Sequence, residues 1–200
     1  MELNYKTICG VVSALFNIAC FIPYLLDIFK RSTKPHIYTW LIWTILQITG
    51  TIAMFNNGGG MGTLSLAIGS VFCAYVCLLS IKYGTKNITT FDTVCLIGAL
   101  GATAIYFFQK DALLSIILIS AIDFTGSLPT LRKAYAEPYS ETLSMFFIFA
   151  VSGIFSVFSI DKYSLVTLLY PLTLIGINWI ASILIYTRRK RLPNPPEGRA

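Results

Sequence analysis

Charge is what this chain has least of. Only 12% of its 200 residues are Asp, Glu, Lys or Arg, against about a quarter in an ordinary soluble domain. That deficit excludes a soluble globule and a polar disordered chain alike. Histidine occurs once, at His36. With no Cys/His cluster at ligand spacing, no metal centre is expected. The five cysteines, Cys9, Cys20, Cys73, Cys77 and Cys95, all fall in apolar stretches and form no CxxC pair. They read as small buried hydrophobes, neither a disulfide framework nor a redox motif. A phosphate-binding Gly-Lys loop is missing, so ATP is not indicated. No HExxH helix is present, and no lysine lies between Tyr163 and Tyr186, which excludes a retinal Schiff base there. The expectation is a protein that is not an enzyme and carries no cofactor.

Apolar length is what the chain has instead. Hydrophobic residues make up 56% of it, and its mean hydropathy is +0.72. A bilayer span needs roughly 20 apolar residues. Seven segments meet or approach that length: 7–30, 36–55, 61–83, 90–108, 111–134, 138–160 and 163–187. The first reads as an uncleaved helix, although Asn17 to Cys20 faintly resembles a lipoprotein cleavage box. The last residues, 192–200, are polar and proline-rich and are expected to be disordered. The fold expected is an all-α polytopic membrane protein with seven transmembrane helices.

The net charge of +6 is laid out by position. Twelve basic residues fall at one set of segment ends: Lys30, Arg31, Lys34, Lys82, Lys86, Arg132, Lys133, Arg188 to Arg191 and Arg199. The other ends hold three, Lys6, Lys110 and Lys162. Basic residues favour the cytoplasmic side. The N-terminus is therefore expected outside and the C-terminus in the cytoplasm, in the plasma membrane of a bacterium or archaeon. The positive charge calls for a lipid bilayer as partner, not nucleic acid.

The first three segments can be laid over the last three. With Pro23 on Pro129, Asn17 falls on Asp123. After a short gap in the turn, Pro35 falls on Pro138, Thr39 on Thr142, Gly50 on Gly153 and Phe55 on Phe158. An odd helix between two three-helix units leaves both the same way up. The expected organisation is two parallel three-helix bundles, 1–89 and 111–191, joined by a linker helix, 90–110. Parallel repeats of this kind are a transporter plan, with substrate bound near the midplane between halves.

The stretches Phe21-Ile-Pro-Tyr-Leu-Leu-Asp-Ile-Phe-Lys-Arg and Ser127-Leu-Pro-Thr-Leu-Arg-Lys, each leading through a short turn into the next helix, resemble the PQ-loop and SWEET superfamily of membrane transporters. The naming Pro-Gln dipeptide is here Pro23-Tyr24 and Pro129-Thr130. The resemblance implies a three-plus-one-plus-three helix plan and a carrier, facilitated or proton-coupled, of a small polar metabolite such as a sugar or amino acid. It equally allows a non-transporting membrane receptor or assembly protein of the same fold. Self-association is left open.

Polar residues inside the apolar runs mark the candidate site. A buried carboxylate costs several kcal/mol unless it is paired, hydrated or protonated, so Asp123 stands out. Ser120, Asp123, Ser127 and Thr130 share one helical face. Ser13, Asn17 and Tyr24 do so in the first segment, Thr44, Gln47 and Thr51 in the second, and Pro171, Asn178 and Ser182 in the seventh, with Trp179 beside them. Asn17, Gln47, Asp123, Ser127, Asn178 and Trp179 are the expected substrate contacts. Asp123 is also the expected proton-coupling group, either exchanging a proton or holding a cationic substrate. Pro23 and Pro129 are expected hinges. Asp27 is expected to pair with Lys30 or Arg31, His36 to cap the second helix, and Trp40 and Trp43 to anchor at the interface.

Overall fold

The computed structural model describes residues 4–85 and 88–192, leaving out the side chain of Pro129. Lys86, Arg199 and nearly all of the proline-rich tail therefore lie outside the described residues. Among those described, regular structure is helical apart from one bridge between His36 and Thr85. The helices are α1 (Tyr5–Phe29), α2 (Ile37–Asn56), α3 (Thr63–Tyr83), α4 (Thr90–Ala104), α5 (Ala112–Ala136), α6 (Leu143–Phe158) and α7 (Leu165–Arg191). A 3-10 turn, Gly60–Gly62, leads into α3, and a π segment, Ile105–Gln109, extends α4.

Local sequence sets these ends. The first turn of a helix leaves backbone N–H groups without partners, and short polar side chains accept from them. The Asn4 side chain accepts from Lys6 N–H, and that of Asp111 accepts from Leu114 N–H, both at 2.9 Å. Thr89 with Asp92 and Ser164 with Thr167 form reciprocal caps for α4 and α7. His36 is the residue before α2; its Nδ1 lies 3.1 Å from the Thr39 hydroxyl and its Nε2 3.9 Å from Asp92. The α2–α3 turn needs left-handed backbone at Gly58 and Gly60, with φ of 87° and 52°. Side chains other than glycine rarely adopt such angles.

Six of the helical stretches are long and apolar enough to cross a bilayer, and α6 is a shorter apolar helix of 16 residues. The sixth segment was expected to begin just after Pro138. Pro138–Ser140 instead forms a separate 3-10 turn, and Glu141 is extended at φ −122°, ψ 144°, so the helix starts at Leu143.

Helix α3 packs against both α1 and α2, and α7 packs against both α5 and α6. A long seam joins α1 to α6, whereas α4 lies against both α2 and α5. Only 17% of the α4 span is buried, against 33% or more for the other five, which makes it the peripheral helix. Large side chains such as Phe21, Leu46, Met54, Ile116, Ile119 and Tyr170 fill the interior, and the apolar side chains left exposed suit lipid as solvent.

Candidate functional site

Asp123 lies midway along α5 and is 3% exposed. Ser120 and Ser127, one turn to either side on the same face, are also buried. Asp123 and Ser127 border a cavity of about 50 Å³. A water needs about 10–15 Å³ of such space, so the cavity is large enough to hold water. Six of the seven helices contribute lining side chains, among them Phe21 from α1, Trp43 and Gln47 from α2, Cys73 from α3, Phe149 from α6 and Asn178 from α7.

The polar neighbours of the Asp123 carboxyl are the Trp43 indole and the Tyr170 hydroxyl. Gln47 donates its amide N–H to Cys73 Sγ at 3.2 Å. Ser127 donates to the Phe124 carbonyl at 2.7 Å and Asn178 to that of Leu174 at 2.8 Å. Both donors are turned back on their own helices, which leaves acceptor lone pairs for a guest.

A vestibule of about 1390 Å³ opens at the end where Arg31, Lys34, His36, Asp92, Lys133 and Glu141 gather. It shares Trp40, Trp43, Thr130, Met145 and Phe146 with the small cavity, so these five side chains form the partition between the two. Trp40 meets Trp43 edge to face at 5.1 Å and leans on Tyr24 at the same separation. Trp40 is 3% exposed; this corrects the expectation that it anchors at the bilayer interface.

The opposite side is shut by direct helix contact. The Ser13 hydroxyl donates to the Ser152 carbonyl at 2.7 Å, and the Ser152 hydroxyl returns a bond to the Ser13 carbonyl at 2.8 Å. Ser65 Oγ lies 2.9 Å from Ser152 Oγ and accepts from the Asn17 amide at 3.0 Å. Further along, the Ser156 hydroxyl donates to the Gly62 carbonyl, and Lys6 reaches Asp161. Between α2 and α7 a Cβ added at Gly50 would come within 2.6 Å of the Tyr170 ring. Only glycine allows that approach.

Of the expected contacts, Gln47, Asp123, Ser127 and Asn178 converge on one cavity. Asn17 does not join them: its amide is committed to Ser65 on α3. Trp179 borders a different cavity and meets Phe147 edge to face at 5.5 Å. Pro23 lies inside α1 without ending it, and the Pro129 side chain falls outside the described residues. Asp27 pairs with neither Lys30 nor Arg31; it accepts from the Thr142 hydroxyl at 2.6 Å.

Sequence reasoning passed over Tyr170 and treated Cys73 as filler. Tyr170 does carry a signal, a phenol next to Pro171 inside an apolar run. Five buried polar atoms make no hydrogen bond among the described residues: Asn17 Oδ1, Gln47 Oε1, Thr51 Oγ1, Ser120 Oγ and Tyr170 Oη. Every one belongs to Asp123's own helix face, to one of its neighbours, or to the polar faces of α1 and α2.

No protein-family model, curated protein or solved structure matches the chain.

Proposed function

We propose that this protein is a membrane carrier for a small polar metabolite, working by alternating access between two three-helix halves, α1–α3 and α5–α7, with α4 as linker. This is the plan of the PQ-loop and SWEET superfamily that the Pro23 and Pro129 segments resemble. The observation that carries the reading is the Asp123 cavity, walled by both halves and parted from a wide vestibule at one end by a layer of five side chains. With the basic end in the cytoplasm, this conformation faces inward and its binding chamber is contracted. Aromatic walls at Phe21, Trp43 and Phe149 offer stacking surface, and Asp123, Gln47, Ser127 and Asn178 offer the few polar contacts that orient a small guest.

The packing order supports two equivalent halves, since α3 sits against α1 and α2 as α7 sits against α5 and α6. So do the partners of the matched residues. Asn17 reaches Ser65 on α3, and Asp123 has Tyr170 on α7 as a neighbour. Asp123 and Tyr170 stand almost the same number of residues beyond Asn17 and Ser65.

The test is uptake into proteoliposomes of a panel of labelled sugars and amino acids, with and without an imposed pH gradient. A transported solute is expected, and Asp123→Asn should lower its gradient-driven uptake at least about ten-fold, equivalent to 1.4 kcal/mol. No flux for any solute, together with unchanged binding in Asp123→Asn, would sink the carrier reading and leave a receptor of the same fold.

A further inference from the structure

A second cavity, of about 760 Å³, lies apart from the Asp123 site, between the end of α1, the start of α6 and the last turns of α7. Its wall holds two opposite charges that no ion pair neutralises. The ion pairs among the described residues engage Lys6, His36 and Lys133 with Asp161, Asp92 and Glu141. Asp27 and Arg189 appear in none of them, nor do they pair with each other, although both border this cavity. Asp27 is held in place by the Thr142 hydroxyl. Arg189 is fixed by bonds to the Pro138 and Glu141 carbonyls at 3.0 and 2.7 Å and lies over the Tyr139 ring.

Glu141, which Lys133 neutralises at 3.1 Å, and hydroxyl side chains such as Ser32, Ser144 and Ser182 also line the cavity, whereas one side of the wall is apolar and faces outward from the bundle. Phe147, Ile183 and Tyr186 line it and are each about half exposed, at 47%, 58% and 52%. Trp179, edge-on to Phe147, completes that side. Helix length explains why a notch exists here. The 16 residues of α6 reach about 24 Å, short of the roughly 30 Å hydrocarbon layer. The 27 residues of α7 run well past it. A bilayer meets a short helix by letting headgroups sink toward it.

We propose that this notch binds the headgroup of an aminophospholipid, a zwitterion with a primary ammonium and a phosphate diester, from the leaflet at the basic end. The ammonium goes to Asp27, with the Trp179 and Phe147 rings beside it. The phosphate goes to Arg189, and one acyl chain runs along Phe147 and Ile183. Fixed partners of opposite sign in one cavity match a zwitterion better than an anion. The apolar outward wall matches a lipid better than a soluble zwitterion.

The test uses the full chain purified in detergent. Phosphatidylethanolamine, phosphatidylcholine and phosphatidylglycerol are added in equal amounts, and retained lipid is counted by native mass spectrometry. Soluble phosphoethanolamine serves as a competitor. Phosphatidylethanolamine is expected to be retained about ten-fold over the other two, the scale of one charge-assisted hydrogen bond. Asp27→Asn keeps an acceptor for Thr142 and should erase the preference over phosphatidylglycerol. Arg189→Gln should lower retention of all three lipids. Equal retention of all three, or a preference unchanged in Asp27→Asn, overturns the site. Binding of phosphoethanolamine with no lipid retained overturns the lipid as its occupant. None of these readouts depends on transport, so the site stands or falls separately from the carrier reading.

Discussion

The Asp27 carboxylate, near the end of α1, accepts a 2.6 Å hydrogen bond from the Thr142 hydroxyl, which precedes the first residue of α6. It ties these two helices together at the basic end, where the vestibule opens between other parts of the protein. A hydroxyl given to a carboxylate contributes more than a neutral pair, about 1.5–3 kcal/mol when buried. This one is partly exposed, so about 1 kcal/mol is the better expectation. Thr142→Val keeps the shape and removes the donor. In a chain of this size it should lower the melting temperature by about 2–4 °C. Thr142→Ser should restore most of the loss, and an unchanged melt in Thr142→Val would show that the bond contributes nothing.

The serine seam between α1 and α6 predicts coupling. Ser13 and Ser152 exchange hydroxyl-to-carbonyl bonds in both directions. Small hydroxyl side chains let helices approach closely in a bilayer, and such bonds average about 0.6 kcal/mol in membrane proteins. Ser13→Ala and Ser152→Ala should each cost little. Ser152→Leu should cost far more, because both serines are fully buried and the added volume has nowhere to go. Comparing the melts of Ser152→Ala and Ser152→Leu decides whether hydrogen bonding or close approach holds the seam.

The outline of the fold was legible because lipid imposes one rule, that spans are long and apolar. The face carrying Ser120, Asp123 and Ser127 was legible for a similar reason, since helical spacing fixes which residues share a stripe. Which stripe meets which was not. Asn17 matches Asp123 in the repeat, yet its amide is taken by Ser65, a residue on a helix distant in sequence. Trp40 looked like an interfacial anchor by type, and tertiary packing against Tyr24 and Trp43 buried it. The shortness of α6 turned on backbone angles at Glu141 and Thr142, which neither hydropathy nor residue type reveals.

Glu141 yields a pH prediction. Its side chain is 11% exposed and lies 3.1 Å from Lys133. Burial pushes its carboxyl above the ordinary value of 4.5, and Lys133 offsets this only in part. The folded state therefore holds that proton more tightly than the unfolded chain. The resulting stabilisation is complete below the ordinary carboxylate range and is lost as pH rises through the raised value. Glu141→Gln mimics the protonated form. It should melt at or above the wild-type temperature at pH 7, and the wild type should gain on it as pH falls to 4. A gap that widens in the variant's favour on acidification would contradict this.

Tyr170 separates stability from function. Its ring fills the space that Gly50 leaves, and its hydroxyl is buried beside the Asp123 carboxyl. Tyr170→Phe keeps the ring and removes only the hydroxyl. A buried hydroxyl's hydrogen bond contributes about 1 kcal/mol net, so the variant should lose no more stability than that. If the hydroxyl contacts water, a proton or substrate in the outward-open form, the same variant should slow transport despite its intact fold. Thr51 and Ser120 carry unbonded hydroxyls and extend this test. In a background cleared of the five native cysteines, Thr51→Cys and Ser120→Cys should react with a membrane-impermeant thiol reagent. The reagent must come from the side opposite the vestibule, and saturating substrate should change the rate. No reaction from that side, with normal reaction of a cysteine placed at Thr39 in the vestibule, would mean that the closed side never opens.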